Sequence, residues 1–403
     1  GEEWYKDKED EFKKEYLATA KVSVSTTIQY ANNHWGWMEI WKDHDGTLLN
    51  INNTCTQTNE SSAYEHNVLP EGYTFIGWST EVSDTNQEVI HTAQYTYGPE
   101  LDIVDADNTK KTLTINANGW ASSGWPYTIN GTEYGKDDKA GKEKYRQADR
   151  TLVIPYTGTS GASLPIAVLD EDGKPICRHI YKVPFVYTGT EDMSDMNENS
   201  IVFVKSGTLQ TTDGAKAKEI YVAPGAELKV NGILTVGKLV LRTTPYKAAV
   251  LTIETGGSIE LTDGGQVFYS RISPDAKQYY QFGLPLSCAL AKVKMSNTGK
   301  LGGSQPKYRT AWMLKSYNEE SRAINGISNE GANWDLLPSE GTIAAGVGYE
   351  MFSNSNYYRE FYFPVNLSEA KTQVSVQYTE GTKGEEHNGW NIITSPLTSR
   401  ANV

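Results

Sequence analysis

Cysteine is scarce in this 403-residue chain. There are only three cysteines, Cys55, Cys177 and Cys288, and they lie far apart in the sequence. An odd number without a CxxC pair excludes a framework of several disulfides and a zinc knuckle built from cysteines. We therefore expect all three thiols to behave as small, buried, apolar side chains.

Positive charge is also in short supply, because 37 Lys and Arg stand against 50 Asp and Glu, a formal net charge of -13. Nucleic acids and anionic membranes are bound by clustered basic side chains, and no basic stripe occurs, so we expect neither as a partner. No apolar run of this sequence approaches the roughly 18 to 20 residues that cross a bilayer, and none of its stretches has the pattern that we expect of a signal peptide. The abrupt start at Gly1 leads us to expect a mature or trimmed part of something longer.

Sequence motifs for catalysis and metal binding are missing as well. The histidines show no HExxH spacing, and no serine lies in a GxSxG elbow. Three turns begin like a calcium loop, but none has the glutamate that completes an EF-hand about 12 positions later. These turns, which we interpret as Asx turns, are Asp43–Gly46, Asp105–Asn108 and Asp170–Gly173. We predict no metal, no cofactor and no catalytic residue.

Tyrosine and tryptophan are plentiful: 25 Tyr and 10 Trp accompany only 9 Phe. With abundant Thr, Gly and Asn, this composition is typical of all-β proteins whose sheets are half exposed. The chain is also too long for one ordinary core. We predict an all-β fold of several domains.

The stretch from Ile201 to Ile272 repeats one sequence pattern: alternating apolar and polar residues, a glycine turn, and a second alternating segment. Its three copies are Phe203–Gly207, Tyr221–Gly225 and Thr252–Gly256. Leu239–Leu241 supplies a further strand between the second and third copies. Strands this short bury their apolar face only if each coil stacks on the next. We therefore predict a right-handed β-helix, or solenoid, of about three or four coils within residues 196–272.

Polysaccharide lyases built on a β-helix resemble one another in stacking acidic residues on one sheet to hold calcium, beside a basic Lys or Arg. Aligning the second and third copies pairs Glu227 with Ser258 and Lys229 with Glu260, so no column of carboxylates forms. We interpret the charged side chains of this stretch as solvated. They are Glu219, Glu227, Lys229, Lys238, Arg242, Glu254, Glu260 and Asp263.

The N-terminal part divides into a charged lead-in helix or linker at residues 1–18 and a strand-rich module at residues 19–120. Three segments of that module are Gly72–Trp78, Tyr95–Gly98 and Leu113–Trp120. Together they resemble the Listeria–Bacteroides repeat of bacterial surface proteins. The resemblance implies a small β-grasp-like module without catalytic residues that serves as a spacer or interaction element.

The rest of the chain forms two further regions on either side of the predicted solenoid. Residues 121–195 begin as a linker and continue as strands that suggest a small β-sandwich or hairpin region. Residues 273–403 contain the segments Tyr279–Leu286, Gly346–Phe352 and Gly389–Pro396. Their order resembles the C-terminal part of large secreted proteins of Bacteroidetes, a family to which we assign no activity. We predict a C-terminal antiparallel β-sandwich of about eight strands.

Two groups of aromatic residues are candidate ligand contacts. Trp35, Trp37 and Trp41 are spaced so that all three point to one face of a strand, where a row of rings could stack on sugars. Packing inside a core would give the same pattern. Trp125 and Tyr127 form a second candidate group, in a stretch that reads as an exposed loop.

Two classes of function remain open at this point. The leading hypothesis is a non-enzymatic, extracellular or cell-surface protein, an adhesin or spacer that presents a binding surface to a host or environmental glycan or protein. The alternative is a lyase or glycoside hydrolase acting on polysaccharide at the solenoid face or at a domain junction. Two carboxylates about 5 to 10 Å apart across a cleft would favour the alternative.

Overall fold

The computed structural model describes sixteen segments of the chain. They are residues 37–43, 46–54, 73–97, 103–116, 127–129, 132–134, 145–146, 151–169, 175–244, 246–272, 278–295, 308–326, 333–354, 360–367, 376–389 and 391–393. Within them the protein is largely β-strand in several sheets, with a single α-helix. The predicted all-β character is confirmed at this level. The predicted lead-in helix at residues 1–18 lies outside the described residues.

The chain divides into two compact units, residues 1–98 and 99–403. The strands of the first unit are β1 (Trp37–Lys42), β2 (Leu48–Thr54), β3 (Tyr73–Ser83) and β4 (Glu88–Tyr97). β1 pairs antiparallel with β2 and parallel with β4, and β3 pairs antiparallel with β4. Gly77, at φ +130°, permits the bulge that interrupts the register of β3. Tyr95 is buried under Tyr73 and Phe75, which gives this sheet an aromatic core.

The second unit begins with two groups of antiparallel strands. Its first strands are β5 (Ile103–Asp107), β6 (Thr112–Asn116), β7 (Tyr127–Ile129), β8 (Thr132–Tyr134), β9 (Tyr145–Arg146), β10 (Thr151–Pro155), β11 (Ser163–Leu169), β12 (Pro175–Lys182) and β13 (Phe185–Tyr187). The first group is a four-stranded sheet of order β5-β6-β10-β9, and in the second group β12, β11, β7 and β8 pair in that order. The predicted Asx turn after β5 is confirmed, because Asp107 Oδ1 accepts hydrogen bonds from the Thr109 and Lys110 amides.

The glycine-spaced stretch forms two parallel ladders. Its strands are β14 (Ile201–Val204), β15 (Thr208–Thr211), β16 (Ala215–Val222), β17 (Glu227–Val230), β18 (Ile233–Thr243), β19 (Val250–Ile253) and β20 (Ser258–Ile272). One ladder runs β13-β14-β16-β18-β20 and the other β15-β17-β19, so successive strands alternate between them. Phe203, Tyr221, Val240 and Phe268 lie side by side across the first ladder. The same side-chain position therefore recurs in each repeat.

The register of the ladders corrects the alignment of the repeats. Glu227 pairs with Val250 and Lys229 with Thr252, so the predicted pairs of Glu227 with Ser258 and of Lys229 with Glu260 are wrong. The first two copies lie in the first ladder, but the third copy, Thr252–Gly256, begins in the second ladder. The sequence pattern does not distinguish the two ladders, because an apolar strand followed by a turn occurs twice in every repeat. The loop around Tyr246 also lengthens one repeat, so Gly225 and Gly256 are further apart in the sequence than Gly207 and Gly225 are.

Two glycines of this stretch are required by close backbone approach. A Cβ on Gly232 would lie 2.6 Å from Asp213 Cα, and a Cβ on Gly257 would lie 2.6 Å from the Val230 carbonyl oxygen. Distances this short exclude any side chain at both turns. The predicted turn glycines Gly207, Gly225 and Gly256 all have positive φ, between +75° and +88°.

The two faces of the first ladder are both buried. Alternate side chains such as Val222, Leu239 and Leu241 join a core that the second ladder shares. The intervening side chains, among them Phe203 and Tyr221, pack against the small sheet of β5, β6 and β10. Since fully burying one such side chain contributes about 1.5–3 kcal/mol, this double-sided burial dominates the stability of the unit.

The remaining strands follow the ladders. They are β21 (Tyr279–Gly283), β22 (Cys288–Ala289), β23 (Lys294–Met295), β24 (Trp312–Tyr317), β25 (Trp334–Leu336), β26 (Thr342–Ile343), β27 (Gly348–Ser353) and β28 (Glu360–Val365). Helix α1 (Glu319–Asn325) begins at Asn318, whose side chain accepts a hydrogen bond from the Ser321 amide. Short 3-10 turns occur at Leu290–Lys292 and Glu385–His387. Within the described residues, no helix combines the length and apolar character that a membrane crossing requires.

Strand β28 adds antiparallel to β20 and is fixed there by a buried ion pair. The Nε of Arg242 donates to Glu360 Oε1 over 2.8 Å, and Ser270 Oγ donates to the same oxygen over 2.5 Å. Arg242 also donates to the Ile103 carbonyl and lies over the Tyr221 ring, 5.3 Å from its centroid. Burial alone would lower the pKa of Arg242, but the nearby Glu360 carboxylate raises it, so the guanidinium stays charged. The pair joins β18, β28 and β5 at one point.

Candidate functional site

The predicted tryptophan row is largely a packing feature where the structure describes it. Trp41 is 1% exposed, and its ring lies 5.3 Å from that of His91. Trp37 is half-buried at the start of β1. Trp35 and Trp125 lie outside the described residues, and of Tyr127 the structure describes the backbone at the start of β7. Trp41 is therefore buried rather than presented to solvent, and ligand contact by the rest of the row stays a prediction.

A buried polar chain runs across the same face as Trp41. His91 Nε2 lies 2.9 Å from Glu39 Oε1, and His91 Nδ1 lies 2.9 Å from Thr80 Oγ1. With the hydrogen on Nε2, His91 would donate to Glu39 Oε1 and accept the Thr80 hydroxyl at Nδ1. Both ring nitrogens are thereby satisfied although His91 is fully buried.

The charged side chains of the ladders are engaged one by one, and the expectation that all of them are solvated is wrong for Arg242, which is buried. Glu227 accepts hydrogen bonds from the hydroxyls of Thr208 and Thr252, at 2.9 and 2.6 Å. Lys229 forms an ion pair with Glu254 over 2.6 Å. In the part of the chain that the structure describes, no three His, Cys, Asp or Glu side chains come together as a metal site.

A different surface, the outer face of the C-terminal sheet, brings aromatic side chains together. The sheet has the strand order β21-β27-β24-β25, and all its pairs are antiparallel. Alternate residues such as Trp312, Leu314 and Met351 are buried beneath it. The residues between them share the opposite side. We call this side the aromatic face; it consists of Tyr279, Gln281, Met313, Lys315, Tyr317, Trp334, Leu336, Glu350 and Phe352.

At one end of the aromatic face, a tyrosine and a phenylalanine lie side by side. Tyr279 and Phe352 are directly opposite in the β21–β27 register, and their ring centroids are 4.9 Å apart at 34°. Tyr279 is 47% exposed. The Lys315 ammonium lies 4.9 Å from the Tyr279 ring centroid, within the range of a cation–π contact. The ring is therefore held in place by neighbours while much of its surface faces solvent.

A second aromatic pair lies at the other end of the face. Tyr317 and Trp334 are opposite each other in the β24–β25 register, with ring centroids 5.1 Å apart in an edge-to-face arrangement. Between the two pairs runs a polar row of Gln281, Glu350 and Lys315. Each aromatic pair lies two strand positions from the polar row, on opposite sides of it. The two aromatic pairs are therefore four positions, or about 13 Å, apart along the strands.

A groove adjoins the polar row. Its volume is about 400 Å³, and its lining includes Tyr246, Lys247, Arg271, Gln281 and Ile392. We call it the side groove. Its floor depends on Gly348, where a Cβ would lie 2.1 Å from Ile392 Cγ2, and whose amide donates to the Ile392 carbonyl over 2.7 Å. Without a side chain at position 348, residues 391–393 can rest on the sheet.

A larger groove of about 890 Å³ lies where β28 meets the short strands β22 and β23. It contains the buried Cys288, and burial raises the pKa of this thiol to about 12. A thiol with that pKa stays protonated at neutral pH and is a poor nucleophile. The expectation of a buried apolar cysteine is confirmed for Cys288.

Comparison of the chain with protein-family models, with curated proteins and with solved structures gave no match. The chain is a multi-sheet, largely β-strand protein, and no family is shown for it.

The sequence contained a signal for the aromatic face. In Trp312–Tyr317 the buried Trp312 and Leu314 alternate with Met313, Lys315 and Tyr317, the pattern of a half-exposed strand. Strand order could not be obtained in this way, because β21 and β24 are joined only through β27, which follows both in the chain.

Proposed function

We propose that this protein is a non-enzymatic scaffold of the cell surface or extracellular space, and that its aromatic face binds the sugar rings of a glycan. The single observation that carries the proposal is the placement of two aromatic pairs, Tyr279 with Phe352 and Tyr317 with Trp334, on the outer side of one sheet. Aromatic rings stack on the apolar faces of sugars, and the polar row between the pairs offers hydrogen-bonding partners for hydroxyls.

Rigidity of the support favours this function. We infer that residues 201–272 wind as a short right-handed β-helix, because parallel strands of the two ladders alternate along the chain and parallel crossovers are nearly always right-handed. β28 adds antiparallel to the last coil and β13 flanks the first. In this account β1–β4 belong to a β-grasp-like module and the C-terminal strands to a sandwich, both serving as spacers or display elements.

The enzymatic alternative has less support. Its acidic candidates Glu227 and Glu254 are held by threonine hydroxyls and by Lys229, an arrangement that stabilises stacked coils. Glu219 accepts a hydrogen bond from the Tyr221 hydroxyl over 2.5 Å. A solvated carboxylate pair across a cleft would be needed for glycoside hydrolysis.

The test is a glycan array followed by titration calorimetry on the best ligand, with the variants Tyr279→Ala and Trp334→Ala. Truncating a contact ring of this kind typically costs at least about 1.4 kcal/mol, so each variant should bind roughly tenfold more weakly. Ile233→Ala is the control, because Ile233 is also exposed, at 40%, but lies on β18. Unchanged affinity in both ring variants, or a folded chain that binds no glycan, would overturn the proposal.

A further inference from the structure

The side groove differs from the rest of the protein in its charge. Arg271 and Lys247 both line it, and no aspartate or glutamate is among its lining residues. Neither cation forms an ion pair with a described carboxylate within 4.0 Å. In a chain of net charge -13, this groove thus holds two cations that have no acidic partner among the described residues.

Arg271 is held in place by neutral groups. Its Nη1 donates to the Thr244 carbonyl over 2.6 Å, and its Nη2 donates to the Gln281 carbonyl over 3.3 Å. Carbonyl partners fix the guanidinium between the loop after β18 and strand β21, and within the described residues no carboxylate pairs with it. Burial lowers the pKa of Arg271, with a smaller opposing effect from Tyr280, as expected for a cation short of negative neighbours. An arginine nevertheless remains protonated, so the groove keeps its positive charge.

The side groove and the aromatic face share one residue. Gln281 lies in the polar row of that face and also lines the groove. Tyr246, 88% exposed, is also a lining residue of the groove. A volume of about 400 Å³ is at the small end of the range for ligand pockets, which suits a monosaccharide-sized group. One ligand could therefore place one sugar in the groove and others along the aromatic pairs.

We propose that the side groove binds the carboxylate of an acidic sugar, such as a uronic acid, within the glycan that the aromatic face contacts. This inference rests on the proposed function and names its ligand class. Arg271 and Lys247 would supply charge-assisted hydrogen bonds to the carboxylate, while Tyr246 and the Gln281 side chain would contact the ring and its hydroxyls.

The experiment compares a uronic acid oligosaccharide with the same oligosaccharide after carboxyl reduction, by titration calorimetry at low and at moderate salt. We expect the acidic form to bind at least tenfold more tightly at low salt and to lose much of that advantage at moderate salt. Lys247→Gln should weaken binding of the acidic form several-fold and leave the reduced form unchanged. Lys216→Gln, at an exposed position on β16, is the matched control.

The outcomes separate this inference from the proposed function. Equal affinity for the acidic and reduced forms, or an acid preference that Lys247→Gln does not diminish, would overturn the carboxylate site and leave glycan binding intact. Failure of both forms to bind the folded wild-type protein would overturn the proposed function together with the inference. Arg271→Lys, checked for native circular dichroism, gives an independent second variant, because it keeps the charge but removes the planar fork.

Discussion

At the scale of single residues, the buried ion pair of Arg242 and Glu360 is expected to be sensitive to the loss of either side chain, because each charge is compensated by that of its partner. Removing one member of a buried ion pair leaves an uncompensated charge, which typically costs about 3–5 kcal/mol. We therefore expect Arg242→Met to lower the free energy of unfolding by that amount in urea denaturation. The double variant Arg242→Met with Glu360→Leu should recover a large part of the loss.

A matched surface pair provides the control for Arg242. Lys229 and Glu254 form a similarly short contact, but both side chains are partly exposed. Since exposed pairs contribute about 0–1 kcal/mol, Lys229→Met should change stability little. Equal effects of Arg242→Met and Lys229→Met would contradict the assigned role of the buried pair.

Cys288 yields a second prediction at this scale. Burial raises its thiol pKa to about 12, so little thiolate exists at neutral pH. We expect iodoacetamide at pH 7.5 to leave Cys288 unmodified in the folded protein and to alkylate it in denaturant, as read by peptide mass spectrometry. Rapid modification of Cys288 in the folded state would show that the groove beside β28 is open to the reagent.

At the scale of elements, helix α1 binds the segment at residues 376–389 through one carboxylate. Glu319, 2% exposed, accepts hydrogen bonds from the Thr379 amide and hydroxyl and from the Gly389 amide. Burial by itself would raise the pKa of Glu319, but the hydrogen bonds from Thr379 and Gly389 lower it by more. The net result is a pKa below the ordinary value of 4.5. A lowered pKa in the folded state means that ionised Glu319 stabilises the fold above pH 4.5 and that this contribution is lost as the pH falls.

The corresponding prediction concerns Glu319→Gln. The difference in free energy of unfolding between wild type and this variant should be largest near neutral pH and shrink below about pH 4.5. Glu320→Gln is the control, because Glu320 is exposed on the same helix. A difference that stays constant from pH 7 to pH 3 would show that the carboxylate charge is not what holds the segment.

Gly348 tests how the end of the chain packs on the C-terminal sheet. Gly348→Ala places a methyl group against Ile392, and overpacking of this kind typically costs about 1–3 kcal/mol. Adding Ile392→Ala should restore only part of the stability, because it removes the Cγ2 at 2.1 Å but leaves the Ile392 Cβ at 2.9 Å. If Gly348→Ala is as stable as wild type in thermal unfolding, residues 391–393 do not rest on the sheet as described.

At the scale of the whole molecule, the sequence predicts what depends on local pattern. Glycine turns at Gly207 and Gly225, and the hairpin of β11 and β12, follow from alternation and turn chemistry, and the structure confirms them. The pairing of β17 with β19 could not be derived from the sequence, because the loop around Tyr246 changes the spacing between repeats and the apolar pattern does not show where that loop lies.

The candidate site was missed for a related reason. Its residues come from four strands spread over residues 279–353, and they meet only after the order β21-β27-β24-β25 is known. Arg242 and Glu360 are likewise 118 positions apart. Single tryptophans attract notice in a sequence, but the ring of Trp41 fills a core whereas Trp334 lies on the outer face, and only the sheet distinguishes them.

The most direct test of the aromatic face as the glycan-binding surface is oxidative footprinting of the wild-type protein with and without the glycan selected on the array. Hydroxyl radicals modify exposed aromatic rings, and bound sugar shields the rings that it covers. We predict that saturating glycan lowers the oxidation of Tyr279 and Trp334 and leaves that of Tyr378, an exposed tyrosine outside the face, unchanged. Glycan binding that leaves the oxidation of Tyr279 and Trp334 unaltered would contradict the account.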